Sequence, residues 1–272
     1  MITDADVERW LREDVGHHDV VNDVPGTTTG RLVAKESGVV AGLDAARAVF
    51  DYLGVDCESV VAAGDTVESG DVVCRTSGPA RETLRGERVA VNVVGHASGV
   101  ATTTRRAVET VREVSDEVTV AATRKTTPGL RGVEKRAVVA GGGDTHRLDL
   151  SHMVLVKENH IAELGLAAAI ERFHERASYT TKIEVEVEDP ADGPRAAAAG
   201  ADIVLFDNFA PEALTDAVER LPSGVVSEAS GGITLETLPA YAATGVDVVS
   251  MGALTHSASS LDLSFRTGEV VG

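Results

Sequence analysis

The chain reads as an α/β protein in which a compact mixed unit is followed by a barrel of parallel strands. Apolar, β-branched runs alternate with helical stretches from about residue 117. Four of the runs begin at Ile183, Ile203, Val225 and Val246, spacings of 20, 22 and 21 residues, the length of one strand, one helix and two loops. No Gly-x-Gly-x-x-Gly opens the first such repeat, which disfavours a dinucleotide fold and leaves the barrel. The size agrees, since 272 residues, 43% of them hydrophobic, can build one large domain or two ordinary ones.

Taken in order, residues 4–15 form a short helix with Asp4 as N-cap and Val7, Trp10 and Leu11 on one face. Between Gly30 and Thr76, short Val-rich runs are punctuated by Gly38, Gly42, Gly54, Gly64 and Gly70, with a helix near 44–53; this is the α+β unit. After Pro79 a long helix runs to about Val114, interrupted near Gly95 to Gly99. Strands follow at Val118–Ala121, Met153–Val156, Ile183–Val187, Ile203–Phe206, Val225–Val226 and Val246–Met251. Gly141–Gly142–Gly143 comes after a helix and reads as its C-cap and a loop. No low-complexity linker divides the chain, which splits into residues 1–100, joined by 257–272, and a barrel over 101–256.

Charge narrows the function. Against 25 basic residues stand 43 acidic ones, net −18, spread along the whole chain, so duplex nucleic acid is repelled. Only five of the basic residues are lysines. An acidic, lysine-poor, Ala/Val-rich chain suits a salt-rich cytoplasm, where counter-ions screen self-repulsion, so a halophilic source is expected. No run of about 18 apolar residues and no apolar leader segment occurs, hence an expected cytoplasmic location without a membrane span. Cys57 and Cys74 lack metal-site spacing and read as small core residues.

One stretch breaks the acidic pattern. Residues 124–160 hold seven basic residues (Arg124, Lys125, Arg131, Lys135, Arg136, Arg147, Lys157) and four acidic ones, net +3; the rest of the chain holds 18 basic and 39 acidic, net −21. Such an island suits a small polyanion, because guanidinium forks grip carboxylate or phosphate bidentately and lysine adds a point charge. Arg131, Lys135 and Arg136 fit an ordinary helix surface equally well. Arg124, Lys125, Arg147 and Lys157 flank strands, at the end where barrel enzymes place reactive groups. Alternation in Ile183–Glu188 puts Glu184, Glu186 and Glu188 on one face. Glu186 and Asp207 close adjacent strands, where Mg²⁺ or ribose hydroxyls would partner them. The turns Ser230–Gly231–Gly232 and Met251–Gly252–Ala253 leave backbone N–H groups free for a phosphate.

These residues resemble those of quinolinate phosphoribosyltransferases. The matching blocks run in order from Glu87-Arg88-Val89-Ala90 through Thr123-Arg124-Lys125-Thr126-Thr127-Pro128-Gly129-Leu130-Arg131, Glu134-Lys135, His146-Arg147, Lys157 with Asn159-His160, Ile183 to Val187, Asp207-Asn208 and Glu228 to Ile233, to Gly252 with Thr255-His256-Ser257. The resemblance implies an N-terminal α/β sandwich, an open α/β barrel of the type II phosphoribosyltransferase kind, and a homodimer in which Arg88 reaches the neighbour's site. It implies condensation of quinolinate with phosphoribosyl pyrophosphate, with Mg²⁺, releasing pyrophosphate, CO₂ and nicotinate mononucleotide in NAD biosynthesis. Arg88, Arg124, Lys125, His146, Arg147 and Lys157 would bind the dicarboxylate, with Thr123 and His256 also in the substrate site. Glu186 and Asp207 would hold ribose and metal, and with Lys125 form the catalytic set. Ser230 to Gly232 and Met251 to Ala253 would take the 5-phosphate. Departures from the family pattern include His18-Asp19-Val20-Val21, Asp149, His152 and Glu158. The alternatives are a same-fold enzyme for another acid, such as nicotinate or a molybdenum-transport paralogue, and a non-catalytic anion-binding barrel.

Overall fold

A computed structural model describes residues 2–268. The elements in chain order are α1 (Asp4–Val15), β1 (Thr27–Ala34), β2 (Gly38–Val39), α2 (Leu43–Tyr52), β3 (Asp56–Ser59), β4 (Thr66–Val67), β5 (Val72–Pro79) and α3 (Ala80–Arg112). Then come β6 (Thr119–Ala121), α4 (Arg131–Gly141), β7 (Val154–Val156), α5 (Glu158–Leu164), α6 (Leu166–His174), β8 (Ile183–Val187), α7 (Asp192–Ala198), β9 (Ile203–Asp207) and α8 (Pro211–Glu219). β10 (Val226–Ser230), α9 (Leu238–Ala242), β11 (Val248–Ser250), α10 (Ala253–His256) and β12 (Leu263–Thr267) complete the chain.

Two compact units emerge. The first takes the chain up to Arg105, Thr127–Gly142 and the residues from Ala258 onward. Its antiparallel sheet has the order β12-β1-β5-β3, so the C-terminal strand returns to pair with β1, Gly30 opposite Thr267. Leu32, Phe50, Val73, Val94 and Leu263 form its core. Expected in the barrel, α4 belongs to this unit: Arg136 Nε pairs with Asp44 on α2 at 2.9 Å, and a side chain on Gly141 would meet the Ala101 carbonyl of α3. Residues 269–272 of the expected C-terminal return lie outside the described residues.

Two local expectations are corrected. Thr3, not Asp4, caps α1: its hydroxyl accepts from the Asp6 N–H at 3.3 Å while the Asp6 carboxylate accepts the Thr3 N–H at 3.0 Å, a reciprocal capping box. And α3 runs unbroken through Gly95 and Gly99. These glycines are there for contact, since a Cβ on Gly99 would lie 2.0 Å from the Ser259 carbonyl oxygen, and one on Gly95 3.0 Å from that of Leu261. A helix can carry glycine at about 1 kcal/mol each when packing requires it.

The second unit contains Arg106–Thr126 and Gly143–Ser257. Its six strands pair in parallel in the order β6-β11-β10-β9-β8-β7, which is chain order around a ring left open between β6 and β7. At that seam Asp144 bridges to Ala121, steering residues 144–147 alongside the end of β6. Phe206, Ile170, Leu214, Leu238 and Met251 are buried between strands and helices. The third of the regularly spaced repeats is where the strand reading falls short: β10 continues past Val226 to Ser230. Its Ser227 and Glu228 are buried polar residues that an apolar pattern does not register. Ser227 is satisfied by Asp247, which accepts its N–H at 2.7 Å and its hydroxyl at 2.6 Å.

Candidate active site

Parallel strands deliver their carboxyl ends to one rim, and there the second unit has a cavity of about 360 Å³. Thr123, Arg124, Lys125, His146, Arg147, Lys157, Glu186, Asp207 and Ser230 all line it. A larger hollow of about 560 Å³ lies in the first unit, walled by interspersed acids and bases from β1, β3 and β5. Its mixed charges converge on nothing, so volume is a poor guide here.

The cationic part of the cavity comes from β6 and the seam. Thr123 accepts the Lys125 N–H at 3.0 Å, and the Thr255 hydroxyl donates to the Lys125 carbonyl at 2.7 Å, ordering the turn after β6. Arg124 Nε is buried with no hydrogen-bond partner. Arg147 is 8% exposed, and burial together with the nearby Arg124 charge lowers its hold on a proton. Two guanidiniums pressed together in this way are stabilised by an anion between them.

On the acidic part, Lys157, the residue after β7, is paired with Glu186 on β8. Asp207, at the end of β9, has its carboxyl raised above the usual range by burial and then by the Glu186 charge. Asn208, at φ 60°, donates from Nδ2 to Asp207 Oδ2 at 2.7 Å, and its N–H bonds the Ser230 carbonyl at 2.8 Å. Gly231 makes room for it: at φ +100°, a Cβ there would sit 2.2 Å from Asn208 Oδ1. Hard oxygen donors that repel each other suit a divalent cation, so the pair Glu186 and Asp207 fits Mg²⁺.

The remaining expected residues stand outside the lining just named. Met251 is 2% exposed with its side chain in the core, and its N–H donates to the Ala121 carbonyl at 2.9 Å, which leaves Gly252 and Ala253 of that turn for a phosphate. Gly252 abuts Lys125 and His256, with Lys125 Cδ 3.0 Å and His256 Nε2 3.1 Å from the point where a Cβ would lie. Gly232 follows Gly231 at φ +61°, and Ala253 and His256 belong to α10. Arg88 is on α3 in the first unit, lining a different cavity with His18 and Asp19. Arg136 and Lys135 in the basic island are helix residues, ion-paired and 3% exposed respectively.

Sequence reasoning assigned no role to three buried acids. Along β8 the inward face is graded: Glu184 is buried, Glu186 intermediate and Glu188 exposed. Glu228 on β10 is 2% exposed and lies 3.2 Å from His146 Nε2, while Glu184 lies 3.4 Å from the same nitrogen. Burial lowers the His146 pKa, but the two carboxylates outweigh it and push it up to about 10. Burial and the Glu228 charge push Glu184 up to about 7. In the first unit Glu134, fully buried, accepts from His96 at 2.8 Å and from the Thr127 N–H at 3.1 Å. Burial raises its pKa, yet these bonds win and hold it below the usual range. A run of acids on one strand face inside a barrel is the available signal for Glu184, and Glu134 is marked only by the pair Glu134-Lys135, one of the blocks that carry the family resemblance.

An acid could be met by the guanidiniums and a phosphorylated sugar by the carboxylates and glycine turns, which defines the class as a phosphoribosyltransferase-like barrel enzyme. Family models described as the N-terminal and C-terminal domains of quinolinate phosphoribosyl transferase match residues 19–98 and 100–266. The chain belongs to that family. It is 41% identical over 270 residues to a probable nicotinate-nucleotide pyrophosphorylase (carboxylating) of Methanothermobacter thermautotrophicus, covering 96% of this chain and 97% of the relative. With the Homo sapiens nicotinate-nucleotide pyrophosphorylase (carboxylating) it shares 40% over 267 residues, 96% of this chain and 90% of the relative. NadC from Streptococcus pyogenes superposes with a TM-score of 0.90 at 39% identity, covering 98% of this chain and 97% of that one.

Proposed function

We propose that this chain joins quinolinate to phosphoribosyl pyrophosphate and decarboxylates the product to nicotinate mononucleotide. The carrying observation is the pair Arg124 and Arg147: two guanidiniums share a cavity, Arg124 Nε is buried without a hydrogen-bond partner, and neither arginine forms an ion pair among the described residues, although Glu184 and Glu186 lie near Arg147. Such a pair matches a substrate with two carboxylates better than nicotinate, which has one. Retention of Glu186 and Asp207 argues against a barrel that keeps only anion binding.

In this reading Arg124, Arg147, Lys157 and His146 hold the dicarboxylate with its ring nitrogen towards C1 of the ribose. Positioning several negative charges together is the larger part of the task. The nitrogen bonds to C1 as the C1–oxygen bond to pyrophosphate breaks and pyrophosphate departs with that electron pair. Glu186 and Asp207 stabilise the electron-poor sugar carbon and hold the ribose hydroxyls, while Lys125 faces the departing charge. The bond to the 2-carboxylate then breaks. CO₂ leaves, the electron pair stays on the ring carbon beside the quaternised nitrogen, and a proton replaces it, so no covalent enzyme residue is needed. Mg²⁺ held by Glu186 and Asp207, directly or through substrate and water, would neutralise charge on the pyrophosphate. Ser230 to Gly232 and Gly252 to Ala253 bind the 5-phosphate through backbone N–H groups.

The same reading includes a homodimer in which Arg88 serves the partner's site, a cytoplasmic location and a saline cell interior. The net charge of −18 supports the last. Among the described residues no helix is long and apolar enough to cross a membrane.

Purified protein given quinolinate, phosphoribosyl pyrophosphate and Mg²⁺, from low to molar salt, should release nicotinate mononucleotide and CO₂ in equal amounts. Folded protein that forms neither product at any salt would overturn the reading.

A further inference from the structure

Two buried acids at the barrel site, one of them, Glu228, lining the cavity itself, have no part in the reaction above. Glu184 on β8 and Glu228 on β10 are 0% and 2% exposed; neither oxygen of Glu184 has a hydrogen-bond partner, and Glu228 lacks one at Oε1. Their common neighbour is His146 Nε2, 3.2 Å from Glu228 Oε2 and 3.4 Å from Glu184 Oε2. Buried carboxylates need a partner, and two of them converging on one ring nitrogen leave the imidazole a single orientation. Its backbone is equally constrained. His146 sits at φ 51°, a left-handed conformation, with its N–H donating to Asp144 Oδ1 at 2.6 Å. Strain of this kind persists where the surroundings over-determine it, and it clusters at functional sites. The other ring nitrogen, Nδ1, has no hydrogen-bond partner among the described residues, and the side chain keeps 11% exposure in the cavity wall beside Arg147.

We propose that Glu184 and Glu228 are positioning residues for acid recognition, holding His146 from below through Nε2 so that its Nδ1 edge donates to a carboxylate of the bound pyridine dicarboxylate. The inference rests on the proposed function for the identity of that ligand. His146 thereby becomes a cationic donor of fixed direction beside Lys125 and Lys157, and the carboxylates keep it charged. The three side chains place donor atoms within 4.8 Å of one another, a spacing that a divalent ion also tolerates. The neighbouring Arg147 charge repels a dication there more strongly than it repels a singly charged imidazolium.

The test is a double-mutant cycle on the full-length enzyme. Glu228→Gln should raise the quinolinate KM about tenfold, with the KM for phosphoribosyl pyrophosphate within about twofold of wild type. In a His146→Ala background the same substitution should add less than about twofold. An equal loss in both backgrounds, or equal effects on both substrates, would overturn the positioning role. Glu184→Gln supplies the same comparison should Glu228→Gln fail to fold by circular dichroism. Stoichiometric divalent metal in purified protein, lost on His146→Ala, would also overturn it. Equal product formation by wild type with unaltered quinolinate saturation in both Gln variants defeats this inference alone, whereas a folded but inactive wild type defeats the function reading and, with it, the ligand named here.

Discussion

Arg147 illustrates how a single side chain can be read at two levels. Its residue type and its place in the cationic stretch are visible in the sequence, but its near-complete burial beside Arg124 belongs to the fold. Removing it should cost about 1.5–3 kcal/mol of substrate binding, the worth of a charged hydrogen bond, or roughly 10- to 150-fold in the quinolinate KM. Binding of phosphoribosyl pyrophosphate should survive in Arg147→Ala, as titration calorimetry would show; unchanged quinolinate saturation would sink the role. His146 makes a prediction about pH. Its pKa rises from an ordinary 6.5 to about 10 in the folded chain, so the native state holds the proton more tightly. That contribution is complete below about pH 6.5 and is lost as pH rises through about 10. Wild type should therefore lose thermal stability more steeply than His146→Gln over that range. Parallel melting curves for the two proteins would contradict it.

Among the elements, α3 shows where sequence rules mislead for a physical reason. Glycine lowers intrinsic helix stability, so Gly95 to Gly99 predicts a break. The helix continues because the Ser259 carbonyl approaches where any side chain at Gly99 would stand. The obstruction is backbone and cannot rotate away, so Gly99→Ala should destabilise the protein by roughly 1–3 kcal/mol despite its better helix propensity. Denaturant unfolding would measure it, and a stabilised variant would show that propensity governs the site. β8 and β10 teach the complementary lesson. Alternation revealed that Glu184, Glu186 and Glu188 share a face, but depth along that face, which separates a buried floor from an open mouth, depends on how neighbouring strands are staggered. In the sequence the apolar run of β10 stops at Val226 because Ser227 and Glu228 follow, and the barrel interior is what makes these polar residues acceptable there.

For the whole molecule, two predictions concern charge and assembly. With net −18, raising KCl from about 0.1 to 1 M shortens the screening length from about 10 to 3 Å, so both melting temperature and activity should rise. A flat or falling profile in a salt titration would remove the halophilic expectation. If Arg88 completes the partner's site, mixing inactive Arg88→Ala with inactive Lys157→Ala chains should restore about a quarter of wild-type activity, since half the random dimers carry one intact site. Confirmed heterodimers without activity would argue for self-contained sites.

The order of strands, the barrel class, the acidic surface and the cation-rich stretch 124–160 are legible in the chain itself, because periodicity and charge are local properties. So is the membership of Arg124, Lys125, Lys157, Glu186 and Asp207 in one site, because parallel strands send their carboxyl ends to the same rim. Tertiary structure alone decided that α4 joins the first unit, that Gly99 is a contact point, and that Glu184 and Glu228 meet beneath His146. Each depends on distances between residues far apart in sequence, and the burial that makes a carboxylate seek a single partner exists only once the strands have closed around it.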